Sequence, residues 1–496
     1  MYSRYPDMVV VFSLLLLLLF GSSPTCLAVE DEEHGFRVVA LSSLKAHVTC
    51  YGHRVMPPHN NGSWVPLYRP LGPCSPPSSS LGASATKPPP PPPSSSLAEL
   101  LQQDQLRVDD IHKRLSFGDV GDNKLSSAES DTTQVDQSYA ASLNVGSGGG
   151  TGGMVVYDPA ATGGGRSSLP GVVQTLILDT ASDVAWVQCS PCPVPPCHPQ
   201  TDTLYDPTKS GSYAAVPCNS PLCTQLGPYA NGCINNQCQY RVVYPDGSSS
   251  SGTYSTDLLT FTATNAIPSF QFGCSHAEQG RFDPRTAGIL ALGGGSESLV
   301  SQTAATYGNA FSYCLPPTKS QKGFFILGVP RASASKYVVT PLLRYPQAPT
   351  LYRVLLRAIT VAGQQLNVPP AVFAPGSVMD TRTVLTRLPP TAYQALRAAF
   401  RNSMAMYRSA PPKGALDTCY DFTGVAVVRL PTIKLVFDRN AVVELDPSAV
   451  LFNDCLAFIP NRDDRMPGIL GNVQQKTIEV FYNVGGGSVA FRHGAC

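Results

Sequence analysis

Two short phrases in this chain carry the residue types for acid/base chemistry. The first is Leu176-Ile177-Leu178-Asp179-Thr180-Ala181-Ser182-Asp183-Val184-Ala185-Trp186, and the second, about two hundred residues later, is Val378-Met379-Asp380-Thr381-Arg382-Thr383-Val384-Leu385. Each delivers an aspartate from an apolar run into a hydroxyl-bearing turn and leaves by a second apolar run. One such phrase is an ordinary turn or cap, in which hydroxyls satisfy local backbone groups. Two copies suggest two related lobes that each contribute one carboxylate to a pair. Carboxylates held about 3 Å apart cannot both ionise, so one keeps a proton while the other takes a proton from a bound water. That water can attack a peptide carbonyl while the protonated partner donates to its oxygen, with no metal, cofactor or covalent intermediate. Thr180, Ser182, Thr381 and Thr383 are expected to orient the two carboxylates by hydrogen bonds.

The elements that would hold such a pair are strands. From Val172 onward short apolar runs alternate with Gly, Pro, Asn and Ser: Thr175 to Leu178, Gln239 to Tyr244, Leu258 to Thr262, Phe324 to Leu327, Tyr352 to Val361 and Val480 to Val484. The fold class is mainly β. The clearest helix there follows Pro389-Pro390, with Tyr393, Leu396 and Phe400 on one face. With 496 residues, two lobes plus accessory segments are expected. Charged residues are 14% of the chain, 35 basic against 34 acidic, which points to no nucleic-acid surface and no polybasic membrane patch.

Arg4, the apolar run from Val9 to Phe20 and the small residues around Cys26-Leu27-Ala28 predict a signal peptide over residues 1–28. That run is shorter than the roughly 20 residues that cross a bilayer, so no stable membrane insertion is expected. The chain is then exported, and its 15 cysteines predict disulfides. Twelve fall from Cys189 to Cys496, an even number that can pair within itself. The equal end gaps among Cys218, Cys223, Cys233 and Cys238 suit nested pairs Cys218 with Cys238 and Cys223 with Cys233, one of three possible pairings. A zinc site at Cys189, Cys192 and Cys197 lacks a second Cys/His pair close by, and the eight histidines show no zinc spacing.

Residues 29–137 read as an accessory segment. Pro88 to Pro93 is an unbroken polyproline run, and Asn61-Gly62-Ser63 is a glycosylation sequence. Beyond the prolines, Ser96 and Glu99 form a capping box, and Leu97, Leu100, Leu101, Val108, Ile111 and Leu115 share a helical face. That amphipathic helix is either a small helical subdomain or a cover over a cleft. Gly146 to Gly165 reads as a glycine-rich loop, with no Gly-Lys-Ser/Thr to make it a phosphate loop.

Jointly, several phrases resemble the pepsin-type aspartic proteases, in particular their plant nepenthesin-like branch. They are Leu178-Asp179-Thr180-Ala181-Ser182-Asp183-Val184 with Trp186-Val187-Gln188-Cys189, Tyr244-Pro245-Asp246-Gly247-Ser248, Phe272-Gly273-Cys274, Phe311-Ser312-Tyr313-Cys314, Asp380-Thr381-Arg382-Thr383 and Gly468-Ile469-Leu470-Gly471-Asn472-Val473-Gln474-Gln475. The resemblance covers roughly residues 138 to 496. It implies a bilobal β fold with lobes at 138–335 and 336–496, a cysteine-rich insertion, and an Asp179/Asp380 dyad in the cleft. It also implies a flap carrying Tyr244, Asp246 and Gly247 over that cleft, with Trp186 in reach of Tyr244. The activity implied is that of a secreted or vacuolar aspartic endopeptidase, a monomer made as a zymogen and acting on polypeptides at acidic pH.

Departures from the family pattern cluster around the dyad. Ala181 and Arg382 stand where the motif has glycine, Pro245 replaces the first flap glycine, and Ile289-Leu290-Ala291 lacks the glycine that Ile469-Leu470-Gly471 keeps. Ala181 retains the N–H that can bond the carboxylate, whereas Pro245 loses one and stiffens the flap. An inward Arg382 would favour ionised carboxylates and lower the pKa of the shared proton. The alternative reading is a catalytically impaired protease-like binding protein, similar to the plant xylanase inhibitors that share this fold.

Overall fold

The computed structural model describes residues 35–45, 47–50, 63–70, 72–75, 96–117, 138–145, 171–193, 195–262, 265–280, 282–330, 332 and 334–496. The predicted signal peptide, the polyproline run, Asn61-Gly62 and the glycine-rich loop lie outside them.

The fold is mainly β and bilobal. In the first lobe a nine-stranded sheet runs from Asn265–Gln279 through Trp186–Gln188, Gly288–Ala291, Val172–Asp179, Ala140–Val145 and Ser249–Thr262 to Gln237–Val243 and Ala230–Ile234, with Ala214–Ala215 off this path. The long strands Ser249–Thr262 and Asn265–Gln279 also pair with each other, which closes the sheet on itself. Leu176, Ile177 and Leu178 are all buried, as a central strand covered on both faces requires. In the second lobe the corresponding sheet contains Ala348–Val354, Ser377–Met379, Gly468–Leu470 and Thr386–Leu388.

The two lobes repeat one local design around each aspartate. Val172–Asp179 runs parallel to Gly288–Ala291, and Ser377–Met379 runs parallel to Gly468–Leu470. The chain leaving each aspartate turns back against the same partner strand, so that Trp186 sits opposite Ile289 in one lobe and Arg387 opposite Ile469 in the other. A six-stranded sheet joins the lobes, with Ala310–Cys314 and Gly323–Leu327 beside Glu479–Asn483 and Ser488–Arg492. Its edge strand is Trp64–Leu67, from the accessory segment, where Val65 and Leu67 are buried. A second accessory strand, Phe36–Ala40, pairs with Val427–Pro431.

The expected strands are present, with one refinement: Tyr352 to Val361 is split between Ala348–Val354 and Leu356–Val361. The helix Pro390–Ser403 buries Tyr393, Leu396 and Phe400. All twelve downstream cysteines pair among themselves, as Cys189–Cys274, Cys192–Cys197, Cys218–Cys233, Cys223–Cys238, Cys314–Cys496 and Cys419–Cys455, while Cys50 pairs with Cys74. The nested pairing is therefore overturned: the bridges interleave. The hairpin of Ala230–Ile234 and Gln237–Val243 sets Cys233 directly opposite Cys238, and each of these two turns to the preceding segment instead of to the other.

Candidate active site

Asp179 ends its strand and Asp380 follows Met379 at the end of the matching one, and both side chains are fully buried. Their hydrogen bonds repeat across the lobes. Asp179 accepts from the Ala181 N–H at 2.9 Å and the Ser182 hydroxyl at 2.9 Å. Asp380 accepts from the Arg382 N–H at 3.3 Å, the Thr383 N–H at 3.0 Å and the Thr383 hydroxyl at 2.6 Å. The methyl of Ala181 thus leaves the backbone donor in place.

Thr180 and Thr381 do something other than expected. The Thr180 hydroxyl donates to Met379 O at 3.2 Å and accepts from the Thr381 N–H at 3.1 Å. Reciprocally, Thr381 donates to Leu178 O at 3.0 Å and accepts from the Thr180 N–H at 3.2 Å. These side chains stitch the two lobes together, so of the four hydroxyls only those of Ser182 and Thr383 bond the aspartates. A four-bond lattice of this kind fixes the spacing of the pair, because a buried donor or acceptor left unmade costs about 1–3 kcal/mol.

The flap is the hairpin of Gln237–Val243 and Ser249–Thr262. Its turn is closed by the Gly247 N–H on Tyr244 O at 2.9 Å and by the Asp246 carboxylate, which accepts from the Ser248 N–H at 3.0 Å; Gly247 supplies the positive φ of 82° that the turn needs. Pro245 fits between them, and the Trp186 indole N–H donates to the Tyr244 hydroxyl at 2.7 Å.

Arg382 points inward. Its Nη1 donates to Asp179 Oδ2 at 3.2 Å and its guanidinium lies 5.3 Å from the centre of the Tyr244 ring. The stacked cation adds about 0.5–2 kcal/mol of attraction and fixes the charge beside the carboxylate.

The cleft is filled by the helix Leu97–Phe117, which begins with the expected capping box: the Ser96 N–H donates to Glu99 at 2.7 Å and the Glu99 N–H to the Ser96 hydroxyl at 3.2 Å. Of the two readings left open for this helix, the geometry is that of a cover. Leu100 and Leu101 pack with Val384, Leu385, Leu416 and Ile459, whereas Val108, Ile111 and Leu115 pack with Ala181, Tyr345, Leu351 and Ile469. Burying each such side chain stabilises by about 1.5–3 kcal/mol.

Arg107, on the buried face of this helix, reaches both aspartates. Its Nη2 donates to Asp179 Oδ1 at 2.6 Å and Asp380 Oδ1 at 2.9 Å, its Nε to Asp380 Oδ2 at 3.0 Å and its Nη1 to Asp179 Oδ2 at 3.3 Å. One turn earlier, Asp104 accepts from the Val384 N–H at 2.6 Å and from Arg387 Nη2 at 2.7 Å. Sequence reasoning missed Arg107, Asp104 and Arg387. The legible signal was two charged residues within the apolar stripe of the helix, where Asp104 and Arg107 share a face with Leu100, Val108 and Ile111.

Burial works to raise the carboxyl of Asp179, but the Arg107 and Arg382 guanidiniums outweigh it and hold the group well below the usual carboxylate range. For Asp380 burial again opposes and Arg107 wins, so it too is lowered. Arg107 is held well above its ordinary value, since the two aspartates overcome the penalty of burial. With this cation bound, the charged form of both carboxylates is favoured.

Residues 167–329 match the family described as Xylanase inhibitor N-terminal, and residues 351–493 match Xylanase inhibitor C-terminal. An aspartyl protease family protein of Arabidopsis thaliana is 37% identical over 408 residues, covering 80% of this chain and 82% of that one. Aspartic proteinase nepenthesin-2 of Nepenthes gracilis is 32% identical over 64% of this chain and 73% of its own. Among solved structures, soybean basic 7S globulin superposes with a TM-score of 0.54 at 19% identity, over 72% of this chain and 91% of that one, which bears on the fold alone. The paired aspartates, the flap and these relatives agree: the chain belongs to the plant pepsin-like aspartic protease family.

Proposed function

We propose that the protein is an aspartic endopeptidase made as a zymogen, in which Asp179 and Asp380 hydrolyse peptide bonds once the helix Leu97–Phe117 has left the cleft. The observation that carries this reading is the matched pair of buried carboxylates, each held by a backbone N–H and a hydroxyl of its own lobe and bridged by one arginine of the helix. A structural salt bridge would not need two equivalent acids on one cation.

With Arg107 gone, two like charges face each other and one takes up a proton. The Arg382 guanidinium bears on Asp179, so Asp179 is the partner that stays ionised and accepts the proton of the attacking water. Asp380 is then the acid that donates to the carbonyl oxygen. Tyr244, with its hydroxyl held by Trp186, closes over the bound peptide. The family implies a polypeptide substrate, and no helix among the described residues is long and apolar enough to cross a membrane.

Arg382 lowers the pH range over which one proton is shared, since a cation 3.2 Å from Asp179 favours the fully charged dyad. Arg382→Gly is therefore expected to move the alkaline limb of the pH–rate profile upward. At pH 5 turnover should rise by roughly tenfold, the effect of moving that limb by about one pH unit. A limb that stays where it is would show that the guanidinium turns to solvent when the helix leaves. The same ion pair supports a second reading, a protease-like binding protein whose dyad Arg382 keeps fully charged; in that case the processed native chain cleaves no peptide and Arg382→Gly restores cleavage.

The test is cleavage of an unfolded polypeptide between about pH 3 and 6, where such dyads titrate, by the full chain and by protein from which residues up to about 137 have been removed. Activity confined to the processed form is expected. Silence in both forms contradicts the reading.

A further inference from the structure

Arg387 and the Val384 N–H form a carboxylate receptor on the second-lobe wall of the cleft, and the helix fills it with its own Asp104. The two contacts divide over the carboxylate, with the Val384 N–H on Oδ1 at 2.6 Å and Arg387 Nη2 on Oδ2 at 2.7 Å. Arg387 Nη1 donates to Gln105 Oε1 of the same helix at 3.1 Å. Its side chain is only 2% exposed and that of Asp104 is fully buried. Among the described residues, the hydrogen bonds of this guanidinium go to the helix, and its Nε has no partner.

Position reinforces the assignment. Arg387 occupies in the second lobe the place that Trp186 occupies in the first, each opposite the isoleucine of the partner strand behind its aspartate. Trp186 reaches the cleft to hold the flap, and Arg387 reaches it from the facing wall. Asp104 stands one helical turn before Arg107, about 4.5 Å along the helix axis at 1.5 Å per residue. An extended peptide advances about 3.3 Å per residue, so a carboxylate bound at Arg387 belongs to a residue one or two positions from the scissile bond.

When the helix leaves, Arg387 and the Val384 N–H lose these partners together, and a recessed cation remains beside the dyad. We propose that this site takes an aspartate or glutamate side chain of the substrate in the place of Asp104, and so makes the protein selective for acidic residues next to the cleaved bond. The proposal rests on the reading of the chain as a protease that sheds its helix. A guanidinium with a backbone N–H gives the two-point geometry that a carboxylate accepts and a neutral amide cannot match.

The test uses processed protein and peptide pairs that differ by Glu against Gln at one position within two residues of the cleaved bond, at pH 5, where glutamate is mostly ionised. The Glu peptide of one pair is expected to be cut with kcat/KM at least tenfold higher. That ratio should fall toward one in Arg387→Met and stay intermediate in Arg387→Lys. An unchanged ratio in both folded variants, or no ratio in the native protein, overturns the subsite while leaving the protease reading intact. A second arm measures binding of the same fluorescent peptides to processed Asp179→Asn protein. Preference for Glu there that depends on Arg387 upholds the subsite even if no cleavage is ever seen, and equal binding of the two peptides rejects it.

Discussion

Replacing Arg107 with alanine in the full chain is expected to uncover the dyad without any cut in the backbone. Arg107 is the helix residue that touches both aspartates, through four hydrogen bonds. The remaining contacts of the helix are spread along it: Asp104 on Arg387, Arg114 on Ala181 O at 3.2 Å, His112 on Pro467 O at 2.9 Å and Asp109 on Arg462 at 3.0 Å. Removing one partner of a buried ion pair costs about 3–5 kcal/mol, which is a shift of roughly a hundred- to several-thousandfold toward the undocked state. Full-length Arg107→Ala should therefore cleave a fluorogenic peptide at a pH where the full-length native chain is silent, and the double variant with Asp179→Asn should not. A full-length Arg107→Ala chain as silent as the native one would mean that the apolar face of the helix alone blocks the cleft.

The same contacts set how docking responds to acid. Asp179 and Asp380 are both lowered while Arg107 is bound. The docking stability they provide is complete above the pKa values of the free dyad and is lost as pH falls through them toward the bound values. The higher of the two pKa values of free dyads of this kind lies near 4.7, so release is expected to set in below about pH 5. Asp104 pulls the other way, because burial raises it when docked despite Arg387, and proton uptake there favours the docked state. One carboxylate opposes two that share four bonds to a single guanidinium, and the balance favours release in acid. Size-exclusion separation of a helix cut at its flanks, run at pH 7 and at pH 4, reads the difference directly.

Much of the architecture was legible because strands and aspartates carry local signals. An apolar run such as Leu176-Ile177-Leu178 announces a strand buried on both faces, and the duplicated Asp-Thr phrase announces two lobes. The capping box and apolar stripe of residues 96–117 announced a helix with a buried face. Its target was not legible, because periodicity describes one surface and says nothing of its complement. The role of Arg107 depended on a fold in which residues remote in sequence converge, although a charged residue inside the stripe was already an anomaly. Thr180 and Thr381 were misjudged for a related reason: beside an aspartate, a threonine and a serine look alike, and only the geometry shows that the threonines cross between lobes while Ser182 and Thr383 turn back. The disulfide pairing around Cys218 failed because symmetric gaps favour nesting only if the strands do not place the cysteines otherwise.

Asp179→Asn has the other large expected effect, because it removes the proposed base without disturbing the frame that holds it. Asparagine keeps the size of the side chain, and its carbonyl oxygen can still accept from Ala181 N–H or the Ser182 hydroxyl. It cannot take a proton from water. General acid/base catalysis contributes about 10² to 10⁴ in rate, and the proposed step depends on this base. The decisive measurement is peptide cleavage by processed native protein and processed Asp179→Asn, side by side, from about pH 3 to 6, where such dyads titrate. The native protein is predicted to cleave with a bell-shaped profile and the variant to fall at least a hundredfold below it at every pH. Equal rates in the two proteins, or no cleavage by either, would contradict the assignment of Asp179 and Asp380 as a catalytic pair.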